Sequence, residues 1–177
     1  RAGTAVLSHD PWLLRVQHVP VAVKWLSDAR LARLRVPTLT EALEVAAEVG
    51  VCLAIDTKDA GAADAVLAAV RAAGATERVL LWSQHMPTVR TYVRALPDAQ
   101  VALLRDTFAP AEHDRLLADA AAIGARAVSA HQDVVTPAFI GAAAQRGLAV
   151  YCWYQRLDLQ AARLTEVAAA GLAGVVT

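Results

Sequence analysis

A histidine and an aspartate follow a short apolar run near the start of the chain and precede a proline, in Ala5-Val6-Leu7-Ser8-His9-Asp10-Pro11. An imidazole exchanges protons near neutral pH because its ordinary pKa is about 6.5. Pro11 has no backbone N–H, so the sequence predicts that both side chains lie where a strand becomes a loop. Catalytic groups in α/β proteins are commonly built at this edge of the sheet. The pattern therefore indicates acid–base chemistry at His9.

A second pair of charged side chains follows a second apolar run, in Asp56-Thr57-Lys58. Because side chains alternate along a strand, Asp56 and Lys58 are predicted to project from the same face. Taken by itself, such a pair is most often a structural ion pair. A functional role depends on the wider motif in which the pair stands.

These residues are positioned by apolar runs that alternate with alanine-rich helical stretches. The runs are nearly continuous, which is typical of strands buried on both faces of a parallel sheet. Seven strands are predicted: Ala5–Ser8, Val51–Ile55, Val79–Trp82, Val101–Leu104, Ala127–Ser129, Ala149–Trp153 and Gly174–Val176.

The helical stretches carry recognisable start and stop signals. Thr38 or Thr40 is predicted to cap a helix over Leu39–Val49, with Glu41 as early negative charge and Gly50 at its end. Further helices are predicted over Ala62–Ala73, Pro87–Ala95, Pro110–Ile123, Pro137–Arg146 and Leu157–Ala170.

The recurring helix–glycine–strand pattern indicates repeated βα units, and no composition shift or low-complexity linker divides the chain. We therefore expect a single domain over residues 1–177. Seven strands fall one short of eight and the chain begins in a strand, which predicts a (β/α)₈ TIM barrel that is incomplete at its N-terminus. An open doubly wound sheet is the alternative. Against it, no Gly-x-Gly-x-x-Gly or P-loop follows any strand.

Composition excludes several classes of protein. The chain has 177 residues, is 56% hydrophobic, and carries 17 basic and 17 acidic side chains, so it is neither disordered nor a basic nucleic-acid binder. No apolar stretch reaches the roughly 18 residues of a membrane span. A cytoplasmic protein is expected, with secretion left open because there is no initial methionine.

Cys52 and Cys152 fall inside predicted strands and are interpreted as buried free thiols.

Several motifs, taken in order, resemble the glycerophosphodiester phosphodiesterase family of TIM barrels. The most specific is His9-Asp10-Pro11-x-Leu13-x-Arg15, which is similar to the family's His-Asp-Pro-x-Leu-x-Arg segment. Asp56-Thr57-Lys58 stands where the family has Glu-Ile-Lys. Weaker similarities are found at the helix entry Leu34–Leu43, the strand ends Leu81–Gln84 and Val150–Trp153, and the terminal segment Gly171–Thr177.

This resemblance implies metal-assisted hydrolysis of a small glycerophosphodiester to sn-glycerol 3-phosphate and an alcohol. By the same resemblance, His9 is the catalytic acid that protonates the leaving alcohol. Asp10 and Arg15 support it by fixing the imidazole and the loop.

The resemblance also assigns three residues at the ends of later strands. Asp56 is a ligand of a divalent metal, Mg²⁺ or Ca²⁺, where the family normally has glutamate. Lys58 supplies a positive charge to the phosphate or the metal-bound carboxylates, and Trp153 lines the substrate site.

The chain departs from the family pattern in two places. It lacks the family's His-Arg-Gly and Glu-x-Asp strands, which supply one of two catalytic histidines and two of three metal-binding carboxylates. Tyr154-Gln155-Arg156 also replaces Thr-Val-Asn after Trp153. A single carboxylate does not make a tight metal site, so the chain by itself is expected to be inactive or nearly so.

Two other functions are considered: a catalytically dead family member that acts as a binding or regulatory module, and an unrelated TIM-barrel enzyme. An incomplete barrel would expose a sheet edge, so oligomerisation is possible.

Two more histidines, His85 and His131, follow strands. For both, a solvated loop is favoured over ligand contact.

Overall fold

The computed structural model describes residues 3–106, 109–153 and 161–176, and these residues form two compact units. The first unit comprises Arg1–Leu53 and Gly61–Arg78, and the second comprises Ala54–Ala60 and Val79–Thr177. The helices of the first unit are α1 (Leu14–Gln17), α2 (Asp28–Arg33), α3 (Leu39–Val49) and α4 (Ala63–Ala72).

Helix α3 has the bounds that the sequence predicts, because both of its ends are specified locally. The Thr38 hydroxyl accepts a hydrogen bond from the Glu41 N–H at 3.1 Å, and the Glu41 carboxylate accepts one from the Thr38 N–H at 2.7 Å. This reciprocal pair is a capping box. The pKa of Glu41 is lowered, first by the hydrogen bond that its carboxylate accepts from the Thr38 N–H and then by the one that it accepts from the Thr38 hydroxyl at 2.8 Å. Gly50 ends the helix with a φ of 71°, a left-handed conformation that favours glycine.

The run Ala5–Ser8 is not a strand of the parallel sheet, so this part of the sequence prediction is wrong. It forms one antiparallel bridge, in which Leu7 donates to the Pro37 carbonyl and Leu39 donates to the Ala5 carbonyl, both at 2.8 Å. Pro37 has no N–H, and helix α3 starts immediately afterwards, so the pairing ends there. His9 therefore lies in a loop of the first unit and not at the end of a sheet strand.

The second unit contains a six-stranded sheet. Its strands are β1 (Leu53–Asp56), β2 (Val79–Ser83), β3 (Gln100–Arg105), β4 (Ala127–His131), β5 (Ala149–Trp153) and β6 (Gly174–Val176). Its helices are α5 (Met86–Ala95), α6 (Pro110–Ala122), α7 (Pro137–Ala144) and α8 (Ala161–Ala169). Residues 154–160, where the predicted last helix begins, lie outside the described residues.

The strands are arranged in sequence order, β1-β2-β3-β4-β5-β6, and pair in parallel. Each new strand is added on the same side of the one before it. A doubly wound sheet instead reverses direction at a switch point, so the doubly wound alternative is wrong for these strands. Continuous winding in one direction is the arrangement of strands in a barrel.

Helices and side chains cover the two faces of this sheet differently. Helix α5 packs on β2 and β3, α6 on β3 and β4, and α7 on β5. The opposite face, which we call the inner face, carries a cluster of Trp82, Ala102 and Ala127. Because the two alanines are small, the indole of Trp82 extends across them towards Tyr151, at a ring distance of 6.0 Å.

The two cysteines differ in environment. Cys152 is buried in β5, as predicted, but Cys52 is exposed and precedes β1 by one residue. The prediction of a buried thiol at Cys52 is therefore wrong. In the part of the chain that the structure describes, every helix is too short or too polar to cross a lipid bilayer.

Candidate functional site

His9, Asp10 and Arg15 form a hydrogen-bonded series in the first unit. Nδ1 of His9 lies 2.6 Å from one Asp10 carboxylate oxygen, and Nε of Arg15 donates to the other at 2.6 Å. The Ser8 hydroxyl donates to the Asp10 carbonyl at 2.7 Å and holds the backbone of the turn. The three side chains that the sequence associates with acid–base chemistry are thus in direct contact.

The electrostatics of this series favour an ionised Asp10. The pKa of Asp10 is lowered, first by the hydrogen bond from His9 and then by the hydrogen bond from Arg15. An ionised carboxylate only accepts hydrogen bonds, so His9 carries its proton on Nδ1. The other ring nitrogen, Nε2, remains for proton exchange, and 70% of the His9 side chain is exposed. This arrangement orients an imidazole as a general acid or base.

The loop that carries these residues is anchored by Leu13. This side chain is 1% exposed and packs against Leu31 and Val36. Backbone hydrogen bonds turn the loop back on itself, since Leu13 donates to the Val21 carbonyl at 3.0 Å. The motif residue Leu13 therefore has a structural task, which is to fix the positions of the residues on either side of it.

Asp56 and Lys58 lie in the second unit and form an ion pair, with Nζ of Lys58 3.2 Å from a carboxylate oxygen of Asp56. Both side chains are partly exposed, at 31% for Asp56 and 47% for Lys58. The Thr57 N–H donates to the Trp82 carbonyl at 2.9 Å, which in a parallel ladder brings Asp56 level with Trp82. Asp56 thus lies beside the inner face of the sheet.

Thr57 lies between Asp56 and Lys58 and is buried. Its side chain points away from the inner face, towards the face of the sheet that α5 covers. Its hydroxyl lies 2.7 Å from the Tyr92 hydroxyl of α5, and its carbonyl accepts a hydrogen bond from Ser83 at 2.6 Å. Nε2 of His85 donates to the Lys58 carbonyl at 3.0 Å, since a carbonyl only accepts. These contacts hold two successive peptide groups and so fix the direction of Asp56 and Lys58.

Trp153 lies at the end of β5, beside His131 in the parallel register. Their rings meet edge to face, with centroids 4.6 Å apart. His131 is only 5% exposed, so the interpretation of this histidine as part of a solvated loop is wrong. Its Nδ1 lies 3.3 Å from both the backbone N–H and the carboxylate of Asp133. His85 is exposed, but its ring binds a backbone carbonyl.

A divalent metal would need more ligands than Asp56 provides. Across residues 3–106, 109–153 and 161–176, no three His, Cys, Asp or Glu side chains are grouped so as to hold a metal ion. The carboxylate of Asp56 is already paired with Lys58. Mg²⁺ and Ca²⁺ take several oxygen ligands each, so the side chains seen here do not fit such an ion.

Sequence reasoning found His9, Asp10, Arg15, Asp56, Lys58 and Trp153 but missed the residues that position them. Thr57 and Tyr92 form a buried hydroxyl pair that links residues 35 apart in the sequence. The polar Ser83 at the end of a buried strand was the available sequence signal for a second contact, the hydrogen bond from its hydroxyl to the Thr57 carbonyl. The departure at Tyr154-Gln155-Arg156 lies outside the described residues.

Comparison with protein families gives a match over the whole chain. Residues 1–177 match the sequence model of the glycerophosphoryl diester phosphodiesterase family. A comparison with curated proteins gave no significant match.

Several solved structures share the fold. A structure from Agrobacterium tumefaciens, assigned as a glycerophosphoryl diester phosphodiesterase, superposes with a TM-score of 0.80 at 17% identity, over 98% of this chain and 75% of that one. A glycerophosphodiester phosphodiesterase from Thermotoga maritima gives 0.73 at 17% identity, over 99% and 76%. A phosphodiesterase from Oleispira antarctica, in complex with the product sn-glycerol-3-phosphate, gives 0.73 at 16% identity, over 96% and 74%.

Proposed function

Because this chain belongs to the glycerophosphoryl diester phosphodiesterase family, we propose that the protein carrying it hydrolyses a glycerophosphodiester to sn-glycerol 3-phosphate and an alcohol. The observation that carries the proposal is the series His9–Asp10–Arg15, which holds one imidazole in a defined tautomer at an exposed position. The product seen in the Oleispira antarctica structure supports the choice of substrate class.

In the proposed reaction, water adds to phosphorus while the bond from phosphorus to the alcohol oxygen breaks. The protonated His9 gives its Nε2 proton to that oxygen, and the alcohol leaves neutral. The proton released by the attacking water restores the imidazolium, so atoms and charge balance. Asp10 stabilises the imidazolium through Nδ1, and Arg15 keeps Asp10 in place.

Lys58 and Trp153 are proposed to contact the substrate in the second unit. The ammonium group of Lys58 is a compact positive charge that would attract the anionic phosphodiester. Trp153 offers an indole at the carboxyl ends of the strands, where ligands bind in barrel enzymes. We also propose that the six described strands belong to an eight-stranded (β/α)₈ barrel in the protein that carries this chain.

No step of this mechanism passes through a metal ion. Asp56 is the residue that the family pattern assigns to a metal, but here its carboxylate pairs with Lys58 and, among the described side chains, belongs to no group of three or more His, Cys, Asp or Glu. Asp56 as a metal ligand therefore stays a proposal about the protein that carries this chain.

The same ion pair favours a second candidate function. A family member whose aspartate is neutralised by lysine, with no cluster of three potential metal ligands in the described ranges, would bind glycerophosphodiesters without cleaving them. Such a protein would be a binding or regulatory module.

Release of sn-glycerol 3-phosphate from glycerophosphocholine, measured by a coupled assay with Mg²⁺ or Ca²⁺ present, separates the two functions. We expect His9→Asn to lower kcat at least about 100-fold, the contribution of a general acid. The matched control is His18→Asn, because His18 is also exposed and its φ of 57° suits asparagine. Equal activity of both variants would refute the role of His9. Binding of glycerophosphocholine without turnover would establish the binding module.

A further inference from the structure

A short stretch of the first unit, Pro11–Arg35, exposes large apolar side chains directly after His9 and Asp10. We call this stretch the tryptophan segment. Two of its indoles lie in contact at the surface, with ring centroids 5.4 Å apart and ring planes at 83°. The apolar side chains of the segment that are more than a third exposed are Trp12, Leu14, Val16 and Trp25. Exposed apolar side chains that are grouped in this way mark a surface that binds a partner.

Backbone hydrogen bonds hold the two indoles in place. Trp12 forms an isolated antiparallel bridge with Ala22. The Val23 N–H donates to the Pro11 carbonyl at 2.9 Å, and the Trp25 N–H donates to the Ala22 carbonyl at 3.1 Å. Both tryptophans are thus fixed on one turn of the backbone. A surface that is already ordered does not have to be ordered by its partner, which favours binding.

The tryptophan segment is basic, although the whole chain has no net charge. It contains five basic side chains and one acidic side chain, Asp28, and therefore has an excess of four positive charges. Arg15 is paired with Asp10. The other basic side chains are exposed and have no ion-pair partner among the described residues: Lys24, Arg30, Arg33 and Arg35. Such a local excess of unpaired positive charge attracts a polyanionic surface.

The combination of apolar and basic side chains fits an anionic lipid surface. Indole rings are favoured at the boundary between lipid headgroups and acyl chains, and lysine and arginine are attracted to anionic headgroups. Nucleic acid would match the positive charge and would stack on indoles. However, it offers little to the aliphatic side chains of Leu14 and Val16, which are exposed to 58% and 67%. These two residues therefore favour lipid over nucleic acid.

We propose that the tryptophan segment binds the surface of an anionic lipid membrane. Trp12 and Trp25 insert among the headgroups, and the unpaired basic side chains contact the anionic groups around them. The segment lies in the membrane surface and does not cross it, because its helices α1 and α2 are only four and six residues long. Since His9 is two residues from Pro11, binding brings this histidine close to the headgroups. The inference goes beyond the proposed function and does not depend on it.

Co-sedimentation of the full-length protein with lipid vesicles tests the proposal. We expect binding to vesicles of equimolar phosphatidylglycerol and phosphatidylcholine, and binding at least about 10-fold weaker to phosphatidylcholine alone, because each basic side chain at an anionic surface contributes about 5-fold. For the same reason, Lys24→Gln should weaken binding to the anionic vesicles about 3- to 5-fold. Trp25→Ala should weaken it at least about 10-fold through the loss of the indole, and Trp25→Phe should restore most of the affinity.

Two matched controls separate the segment from general effects of charge and apolar surface. Arg90→Gln removes an exposed basic side chain of α5 in the second unit and is the control for Lys24→Gln. Val45→Ala shortens a valine of α3 that is 57% exposed in the first unit, and it is the control for Val16→Ala. We expect both controls to bind vesicles as the wild type does, whereas Val16→Ala should bind about 3-fold more weakly.

Four results would overturn the proposal. They are no binding to either kind of vesicle, equal binding to both kinds, equal weakening by segment and control variants, and tighter binding to single-stranded DNA than to anionic vesicles at the same salt concentration. His9→Asn should bind vesicles as the wild type does. Vesicle binding by a protein that does not hydrolyse glycerophosphocholine therefore leaves this inference standing without the proposed function, and hydrolysis without vesicle binding does the reverse.

Discussion

The hydrogen bond between Thr57 and Tyr92 ties the residue between Asp56 and Lys58 to helix α5. Thr57 is 3% exposed, Tyr92 is 0% exposed, and their oxygens are 2.7 Å apart. Leaving a buried hydroxyl without its partner costs about 1–3 kcal/mol, whereas removing both partners costs much less. Thr57→Val and Tyr92→Phe each delete one hydroxyl and keep the shape of the side chain. We expect each to lower the free energy of unfolding by about 1–2 kcal/mol.

Comparison of the double variant with the two single variants gives the coupling energy of the hydrogen bond between Thr57 and Tyr92. We expect the double variant to be about 1 kcal/mol more stable than the sum of the single effects predicts, because both partners of this hydrogen bond are removed together. Urea unfolding followed by circular dichroism gives the four free energies. Thr91→Val is the control on the same helix, because the Thr91 hydroxyl donates to a carbonyl of α5 itself, that of Pro87. Its effect should stay within about 0.5 kcal/mol. If the changes in the free energy of unfolding of the two single variants simply add in the double variant, the proposed coupling between Thr57 and Tyr92 is refuted.

Two further predictions follow from packing and from charge. Gly174→Ala should lower the free energy of unfolding by about 1–3 kcal/mol, because a Cβ there would lie 3.0 Å from ring carbons of Tyr151. Gly141→Ala, in open space within α7, should instead raise it by up to about 1 kcal/mol; calorimetry that gives both changes the same sign would contradict this reasoning. In an NMR titration, the pKa of the Asp10 carboxyl in the folded chain should lie below its ordinary value of 3.8. The ionised carboxylate therefore contributes its full stabilisation above pH 3.8, and this stabilisation is lost as the pH falls through the lower pKa of the folded state. Arg15→Gln should raise the pKa of Asp10, and an unchanged value would show that Arg15 does not act on it.

Elements with strong local signals were predicted well from sequence. The capping box at Thr38 and the left-handed Gly50 specify both ends of α3, so its bounds are confirmed to the residue. The buried runs that form β2 to β5 also occur where their continuous apolar patterns predict them. The error at Ala5–Ser8 has a different origin. A short run such as Ala5–Ser8 has the same pattern in an isolated antiparallel bridge and in a sheet strand, and only the partner decides between them. Here the partner of Val6 is Thr38, just before α3.

The candidate site was predictable where its contacts are short in sequence. His9, Asp10 and Arg15 lie within seven residues, and their motif anticipates the two hydrogen bonds that the structure shows. Contacts between distant residues were not predictable. The burial of His131 depends on Trp153, which is 22 positions away, and the orientation of Thr57 depends on Tyr92. Periodicity identifies the face on which a side chain lies but not the neighbour that it meets there.

The sequence order of the strands also has a consequence for synthesis of the chain. As each βα unit leaves the ribosome, its strand finds the preceding strand already made and pairs with it at the growing edge. No strand has to wait for a later one, and none has to insert between two that are already paired. Pairing of neighbours in sequence keeps loop closure short, which favours rapid folding. At every stage the edge to which the next strand adds belongs to the most recently synthesised part of the chain.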